Sequence, residues 1–258
     1  MTFKTNYHTH HELCKHAGGT AEDFIKEAIK LNMEVLGISD HAPSYVLDET
    51  FRMSWKEFPI YVEDVLKKKE KYKDQLDVQI GLEAEFLDPN MDYYDELLSK
   101  VDYLILGQHF IQKTKDTMKS TYDLDTPEDL KTYTKELING MKSGKFVLIA
   151  HPDLFMFSYP KFDEHAKQVT IDLAEASIKY NIPLEFNANG IRRGEIKTPE
   201  GTRYYYPRED FWNVVKETGA EIVLSADAHS PKELYDFCIE NALKLAKRLE
   251  ITFKERLL

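Results

Sequence analysis

The sequence predicts a closed α/β fold, a barrel of seven parallel strands with a helix after each. Two observations carry this reading. Seven short apolar runs alternate with seven helical patterns along the 258 residues, the mark of βα units feeding a parallel sheet. Histidines and carboxylates then collect just past the ends of those runs. Only closure brings all such ends to one rim, where barrel active sites are built. In an open sheet with strands ~4.8 Å apart, seven ends would spread over ~30 Å, too far for one cluster.

The strands are expected at 3–7 (FKTNY), 34–39 (EVLGIS), 77–82 (DVQIGL), 101–106 (VDYLIL), 145–150 (KFVLIA), 183–187 (PLEFN) and 221–225 (EIVLS). Helices are expected near 20–32, 57–73, 91–99, 127–143, 164–180, 208–218 and 231–249. The first opens with Thr20 and Asp23 at capping-box spacing, followed by Phe24, Ile25, Ala28 and Ile29 on one helical face. Pro127, Pro207 and Pro231 each suit a helix start, where a missing N–H costs nothing. The lysine-rich KKKEKYK at 67–73 reads as a solvated helix face. Repeats, low-complexity tracts and Pro/Gly/Ser linkers are not evident, so one domain over 1–258 is expected.

Composition narrows the function. Apolar residues make up 42% and aromatics 12%, ordinary for a globular chain. No apolar run approaches the ~20 residues that span a bilayer, and the start lacks the pattern of a signal peptide. Two cysteines, Cys14 and Cys238, make no disulfide scaffold, which favours a reducing cytoplasm. A formal charge of −11 argues against a broad basic face for nucleic acid. It leaves room for an anionic small molecule, because metal ions and a few arginines focus positive charge locally.

The residues after the strands carry the chemistry. His8 and His10 follow the first strand, with His16 a little further on. Asp40 and His41 follow the second, and the third ends in Glu83 and Glu85. The fourth leads to His109, the fifth to His151, and the seventh to Asp227 and His229. The sixth runs into FNANGIRRG, with Asn187, Arg192 and Arg193. An H-x-H pair alone is a weak metal signal, although it sets both imidazoles on one face of an extended segment. Joined by His41, Glu83, His109, His151, Asp227 and His229, it becomes strong. This is too many ligands for one zinc, which takes four. The set suits two or three ions sharing a bridging carboxylate, a recurrent device for phosphate esters. Mixed imidazole and carboxylate ligation suits zinc, iron or manganese alike.

Plainer roles fit the remainder. Asp40 is expected to orient a histidine, Cys14 to be a small buried residue, and Glu85 to support the site or face solvent. His11 and His165 are assigned to solvent. Asn187 is expected to tidy the backbone at its strand end, and Tyr204 to Tyr206 to form an aromatic wall or a packed interface.

The segments YHTHHELCKHAGG, GISDHAP, FRMSW, GLEAEF, GQHFI, AHPDL, YYYP and SADAH, in this order, resemble the PHP (polymerase and histidinol phosphatase) superfamily over nearly the whole chain. SDHAP and FRMSW resemble its L-histidinol phosphate phosphatase branch. The resemblance implies a distorted seven-stranded (β/α)7 TIM-like barrel and a trinuclear centre of divalent transition metals. By position, His8, His10, Glu83 and Asp227 would hold the first metal. Glu83 would bridge to a second, held also by His109 and His151, and His16, His41 and His229 would hold the third. One departure is LGQH, where many members carry an extra residue between glycine and histidine.

The implied reaction is hydrolysis of L-histidinol phosphate, a step of histidine biosynthesis, by a metal-bridging hydroxide. Asp227 or a nearby histidine, His229, would relay a proton. Arginine suits phosphate because its planar fork donates two hydrogen bonds together. Arg192 is the first choice for that role, Arg52 the second, and Lys161 a third. Rival readings are another PHP phosphoesterase, acting on nucleotide diesters or phosphotyrosine, and a metal-binding domain without catalysis.

Overall fold

A computed structural model describes residues 3–87, 91–114, 117–159, 161–198 and 201–258. In chain order its strands are β1 (Thr5–Asn6), β2 (Val35–Ile38), β3 (Asp77–Ala84), β4 (Tyr103–Leu106), β5 (Phe110–Thr114), β6 (Thr117–Ser120), β7 (Leu148–Ile149), β8 (Leu184–Asn187), β9 (Glu195–Thr198), β10 (Gly201–Tyr204) and β11 (Ile222–Ser225). Its helices are α1 (Ala21–Lys30), α2 (Phe58–Tyr72), α3 (Met91–Leu98), α4 (Pro127–Ser143), α5 (Glu164–Tyr180), α6 (Asn189–Arg192), α7 (Glu209–Thr218) and α8 (Phe237–Arg248).

Seven strands pair in parallel in the order β1-β2-β3-β4-β7-β8-β11, and all seven lie within the predicted segments apart from the end of β3. The sheet curls into a barrel whose seam, between β1 and β11, has no ladder. Asn6 closes it instead: Oδ1 accepts from the Ala226 N–H at 2.8 Å. A parallel bridge between Thr9 and Ala228 continues the seam above the strand ends, with His10 N–H donating to the Ala228 carbonyl at 2.8 Å. The barrel is therefore nearly closed, and distorted where a side chain replaces backbone pairing.

Alternation along each strand builds two cores. Leu36, Ile38, Val78, Ile80, Leu82, Leu104, Leu106, Leu184, Phe186, Ile222 and Leu224 belong to the large cluster shared with the helices. Tyr7, Val35, Tyr103, Ile105, Leu148, Ala150 and Val223 form a separate cluster, the filling of the barrel's interior. Tyr103 determines the width there. A Cβ at Gly37 would lie 1.9 Å from its hydroxyl, and one at Gly81 would lie 2.3 Å from its ring. Glycine at both positions lets that ring lie across β2 and β3, where its hydroxyl donates to the Tyr7 carbonyl at 2.6 Å.

The helices start where the caps predict. Thr20 and Asp23 cap α1 reciprocally, and Thr126 and Asp129 do the same for α4, whose first residue is Pro127. The expected helix over 231–249 divides in two. A 3-10 turn, Pro231–Leu234, ends at Tyr235 in an extended conformation. Asp236 then caps a fresh helix by accepting from the Cys238 and Ile239 N–H groups. Two antiparallel hairpins, β5–β6 and β9–β10, are additions to the predicted pattern. No helix among the described residues is long and apolar enough to cross a membrane.

Candidate metal centre

The strand ends converge on one carboxylate. Glu83, the seventh residue of β3, is buried. Its Oε2 lies 3.4 Å from His8 Nε2, 3.4 Å from His10 Nε2 and 3.0 Å from His41 Nδ1. Its Oε1 lies 2.9 Å from His151 Nε2 and 3.5 Å from His109 Nε2. Five imidazoles from four strand ends thus face a single side chain. Beyond them, Asp227 Oδ1 stands 3.4 Å from His10 Nε2, 3.7 Å from His8 Nε2 and 3.5 Å from His229 Nδ1. His229 Nε2 in turn lies 3.1 Å from His16 Nε2. All nine expected ligands are gathered at one mouth of the barrel.

Their far sides are held by partners that fix ring orientation. His8 Nδ1 meets Glu185 Oε1 at 2.8 Å, and His109 Nδ1 meets Glu85 Oε1 at 3.1 Å. His16 Nδ1 meets the Cys14 carbonyl at 2.8 Å, and His229 Nδ1 the Asp227 carbonyl at 3.1 Å. Each contact occupies one ring nitrogen and leaves the Nε2 lone pair facing the cluster, as metal-ligating histidines require. Asp227 is oriented similarly: Asn187 and Asn189 both donate to its Oδ2 at 3.1 Å, leaving Oδ1 inward.

Two of these residues sit on unusual backbone. His151 and Asp227 have φ of 31° and 45°, in the left-handed region that glycine favours. Such residues cost on the order of 1–3 kcal/mol each and persist where surroundings hold them in place. At His151 the holding group is Glu185, whose Oε2 accepts the His151 N–H at 2.9 Å. Glu185 therefore sets both His8 and His151.

The donor set fits a cation. Three imidazole nitrogens lie within 3.4 Å of Glu83 Oε2, yet none is angled to donate to it, and Asp227 Oδ1 likewise accepts no hydrogen bond. His8 and His10 present Nε2 atoms 3.0 Å apart. Tetrahedral zinc with ligand bonds of ~2.0–2.2 Å has ligand-to-ligand edges of about 3.3–3.6 Å. The spacings among His8, His10, Glu83 and Asp227 cluster about that value.

Electrostatics agree. Burial pushes His10 down to about 4, with His229 adding to the effect. Burial also lowers His16 and holds His41 well below the ordinary imidazole range, so these rings stay neutral, the form that binds metal. Burial opposes ionisation of Glu83, but His109, His8 and His41 outweigh it and hold the carboxyl well below its usual range. Asp227 is held down in the same way by His8, His10 and His229. Burial disfavours the His8 imidazolium too, but Glu185, Asp227 and Glu83 raise it well above the usual value.

A cavity of about 410 Å³ opens above the cluster, with Phe51, Arg52, Phe110, Ser120, Tyr122, Asn189 and Arg193 around the ligands. The expected phosphate-binding cations are placed differently from the sequence-based choice. Arg192 is absent from this wall. Its Nε donates to Asp236 Oδ2 at 2.8 Å, Nη2 to Asp236 Oδ1 at 3.1 Å and to the Glu233 carbonyl at 2.7 Å, and Nη1 to the Ala226 carbonyl. It ties α6 to the start of α8. Lys161 is exposed and also absent from the wall. Arg52 reaches the cavity but is buried in a two-pronged ion pair with Glu85, at 2.9 and 3.0 Å. Arg193 is the cation that faces the cavity with donors to spare. Its guanidinium lies 5.1 Å over the Tyr122 ring, with Nη2 3.2 Å from the Tyr122 hydroxyl and Nε 3.3 Å from the Tyr206 hydroxyl.

Other assignments shift as well. His11, expected in solvent, is buried. Its Nδ1 pairs with Asp40 Oδ2, and its N–H donates to Asp40 Oδ1 at 2.6 Å, so Asp40 orients His11 most directly. His165 is exposed as expected. Cys14 is buried, and burial pushes its thiol up to about 12. Glu185 was not singled out from the sequence, although an acid inside the apolar run PLEFN was a readable signal. Tyr206 is buried behind Arg193, whereas Tyr204 and Tyr205 are half-buried.

The PHP domain family matches residues 6–189. A Deinococcus radiodurans protein named "Probable histidinol-phosphatase" is 26% identical over 279 aligned positions, covering 99% of this chain and 98% of its own. A Schizosaccharomyces pombe protein of the same name is 26% identical, covering 88% and 81%. Among solved structures, the histidinol phosphate phosphatase of Lactococcus lactis subsp. lactis, complexed with zinc, L-histidinol and phosphate, aligns with a TM-score of 0.69 at 20% identity, over 97% of this chain and 95% of that one. That last likeness is one of fold.

Proposed function

The chain belongs to the PHP domain family, and from that premise we propose that it is a metal-dependent phosphomonoesterase hydrolysing L-histidinol phosphate to L-histidinol and phosphate. The observation that carries this reading is Glu83, ringed by five imidazoles beneath a cavity whose wall holds Arg193. The relatives named "Probable histidinol-phosphatase" support the choice of substrate.

In this reading three divalent ions (zinc, manganese or iron) would be held by His8, His10, His16, His41, Glu83, His109, His151, Asp227 and His229. When bound, such ions supply Lewis acidity and a nucleophile available at neutral pH. The chain's own groups do the rest. Arg193 offers its unengaged Nη1 edge to the phosphoryl oxygens, while Tyr122 and Tyr206 hold the other edge. Arg52 anchors Glu85, and Glu85 sets the His109 ring. Asn187 and Asn189 hold Asp227 Oδ2 so that Oδ1 faces the reaction, and Asp227, beside His229, is assigned the proton relay. The buried free thiols Cys14 and Cys238 suit a cytoplasmic enzyme.

The test is phosphate release from L-histidinol phosphate, simple phosphomonoesters and phosphodiesters by one preparation whose metal content is measured. Expected is chelator-sensitive turnover that favours L-histidinol phosphate. Undiminished activity in metal-free protein, or preference for diesters, would overturn the reading.

A further inference from the structure

Phe51, in the loop between β2 and α2, is 61% exposed. A lone exposed apolar side chain is ordinary, but this one lines the cavity above the metal ligands. Its ring stands edge-on to His16, at 5.6 Å between centroids and 84° between planes. Phe110 and Tyr122 line the same cavity, so a floor of imidazoles and carboxylates is matched by aromatic walls.

The loop is also built to hold Phe51 there. Directly after it, Arg52 is buried and clamped by Glu85, and its Nη1 also donates to the Ala42 carbonyl at 3.2 Å. Just before it, Lys15 Nζ donates to the Glu49 carbonyl at 3.0 Å, and the Thr50 N–H donates to Asp48 Oδ1 at 2.8 Å. Further along, Ser54 N–H and Oγ both donate to Glu57 Oε2 at 2.7 Å. An aromatic ring fixed at a cavity mouth by its neighbours loses little freedom on binding, which raises what it contributes to recognition.

Resting on the phosphomonoesterase reading above, we infer that Phe51 is a specificity-determining residue: its ring receives the planar aromatic or heteroaromatic part of the leaving group, while the phosphate lies on the polar floor. The leaving group then lies between floor and ring, and alcohols without a ring forfeit the contact. Aromatic pairing of this kind adds roughly a factor of ten to discrimination.

The experiment compares kcat/KM for L-histidinol phosphate and phenyl phosphate against glycerol 1-phosphate, in the wild type and in Phe51→Ala, Phe51→Leu and Phe51→Trp, with metal content measured for each. The ring-to-no-ring ratio is expected to fall about ten-fold in Phe51→Ala, less in Phe51→Leu, and to recover in Phe51→Trp at constant metal content. A ratio unchanged in Phe51→Ala overturns the assignment, as does a ratio that falls only together with lost metal, because Phe51 would then serve His16. Absence of phosphate release from every ester by the wild type would sink the phosphatase reading itself, and this inference with it.

Discussion

Gly107 stands against Glu83 so closely that a Cβ on it would lie 1.9 Å from Oε1, 2.5 Å from Cδ and 2.7 Å from Cγ. Flexible side-chain ends can usually move aside, but Glu83 is surrounded by five rings and has nowhere to go. Gly107→Ala is therefore expected to displace the carboxylate and abolish metal binding, with kcat/KM reduced at least about a hundred-fold. Metal analysis and circular dichroism on one sample check this. A variant that keeps full metal content would show that the carboxylate can relocate.

Glu185 reaches two of the expected ligands at once, His8 through its ring and His151 through its backbone N–H. Glu185→Gln keeps the size but replaces one acceptor with a donor. Metal affinity is expected to fall about ten- to a hundred-fold, the usual cost of removing a group that orients ligands. Titration with zinc against a competing chelator measures it. Since His151 depends on Glu185 to hold its left-handed backbone, the site containing His151 is expected to empty first.

Arg192 and Arg193 are neighbours in sequence with different expected phenotypes. Arg193→Ala is expected to raise KM about ten-fold or more, because a charge-assisted contact to phosphate disappears. Arg192→Ala is expected to leave turnover per folded molecule intact while lowering stability by about 2 kcal/mol, since it strips partners from Asp236 and two carbonyls. Steady-state kinetics beside thermal unfolding separate the two. The reverse pattern would return phosphate binding to Arg192.

Much of this was legible in the sequence, and the failures have physical causes. Barrel strands such as YLIL and IVLS were readable because they are buried on both faces and carry a near-continuous apolar run. The hairpins β5–β6 and β9–β10 were not, because FIQKT, TMKS, EIKT and GTRY carry mostly polar, partly exposed side chains. The nine expected ligand positions could be picked out because each lies at a strand end or shortly beyond one. Their supports were harder to see: Glu185 acts across the barrel from β8 to His8, a partnership no local pattern encodes. Which of Arg192 and Arg193 lines the cavity was not legible because α6 is a single turn, in which successive residues point about 100° apart. No count of residues says which one faces the cavity. His11 lies beside expected ligands in the chain but turns toward Asp40, and only the packing reveals that.

Glu136, on α4, offers a pH test separate from the ligand cluster. Its Oε1 accepts from the Gln112 N–H and its Oε2 from Gln108 Nε2, both at 2.9 Å. Burial pushes its carboxyl up to about 7, more than these donors can offset. An unfolded glutamate titrates near 4.3, so the folded state holds the proton more tightly. The resulting stabilisation is complete below about pH 4.3 and is lost as pH rises through 7. Because the group is partly solvated, the loss is expected to be about 1 kcal/mol, or about 2–4 °C in Tm. Glu136→Gln removes the titration, so the Tm of wild type minus that of the variant should fall between pH 5 and 8. Taking the difference cancels the protonation of the histidines, which both proteins share. A difference that stays flat across this range would mean that Glu136 remains ionised in the folded protein, held by its two donors against the cost of burial.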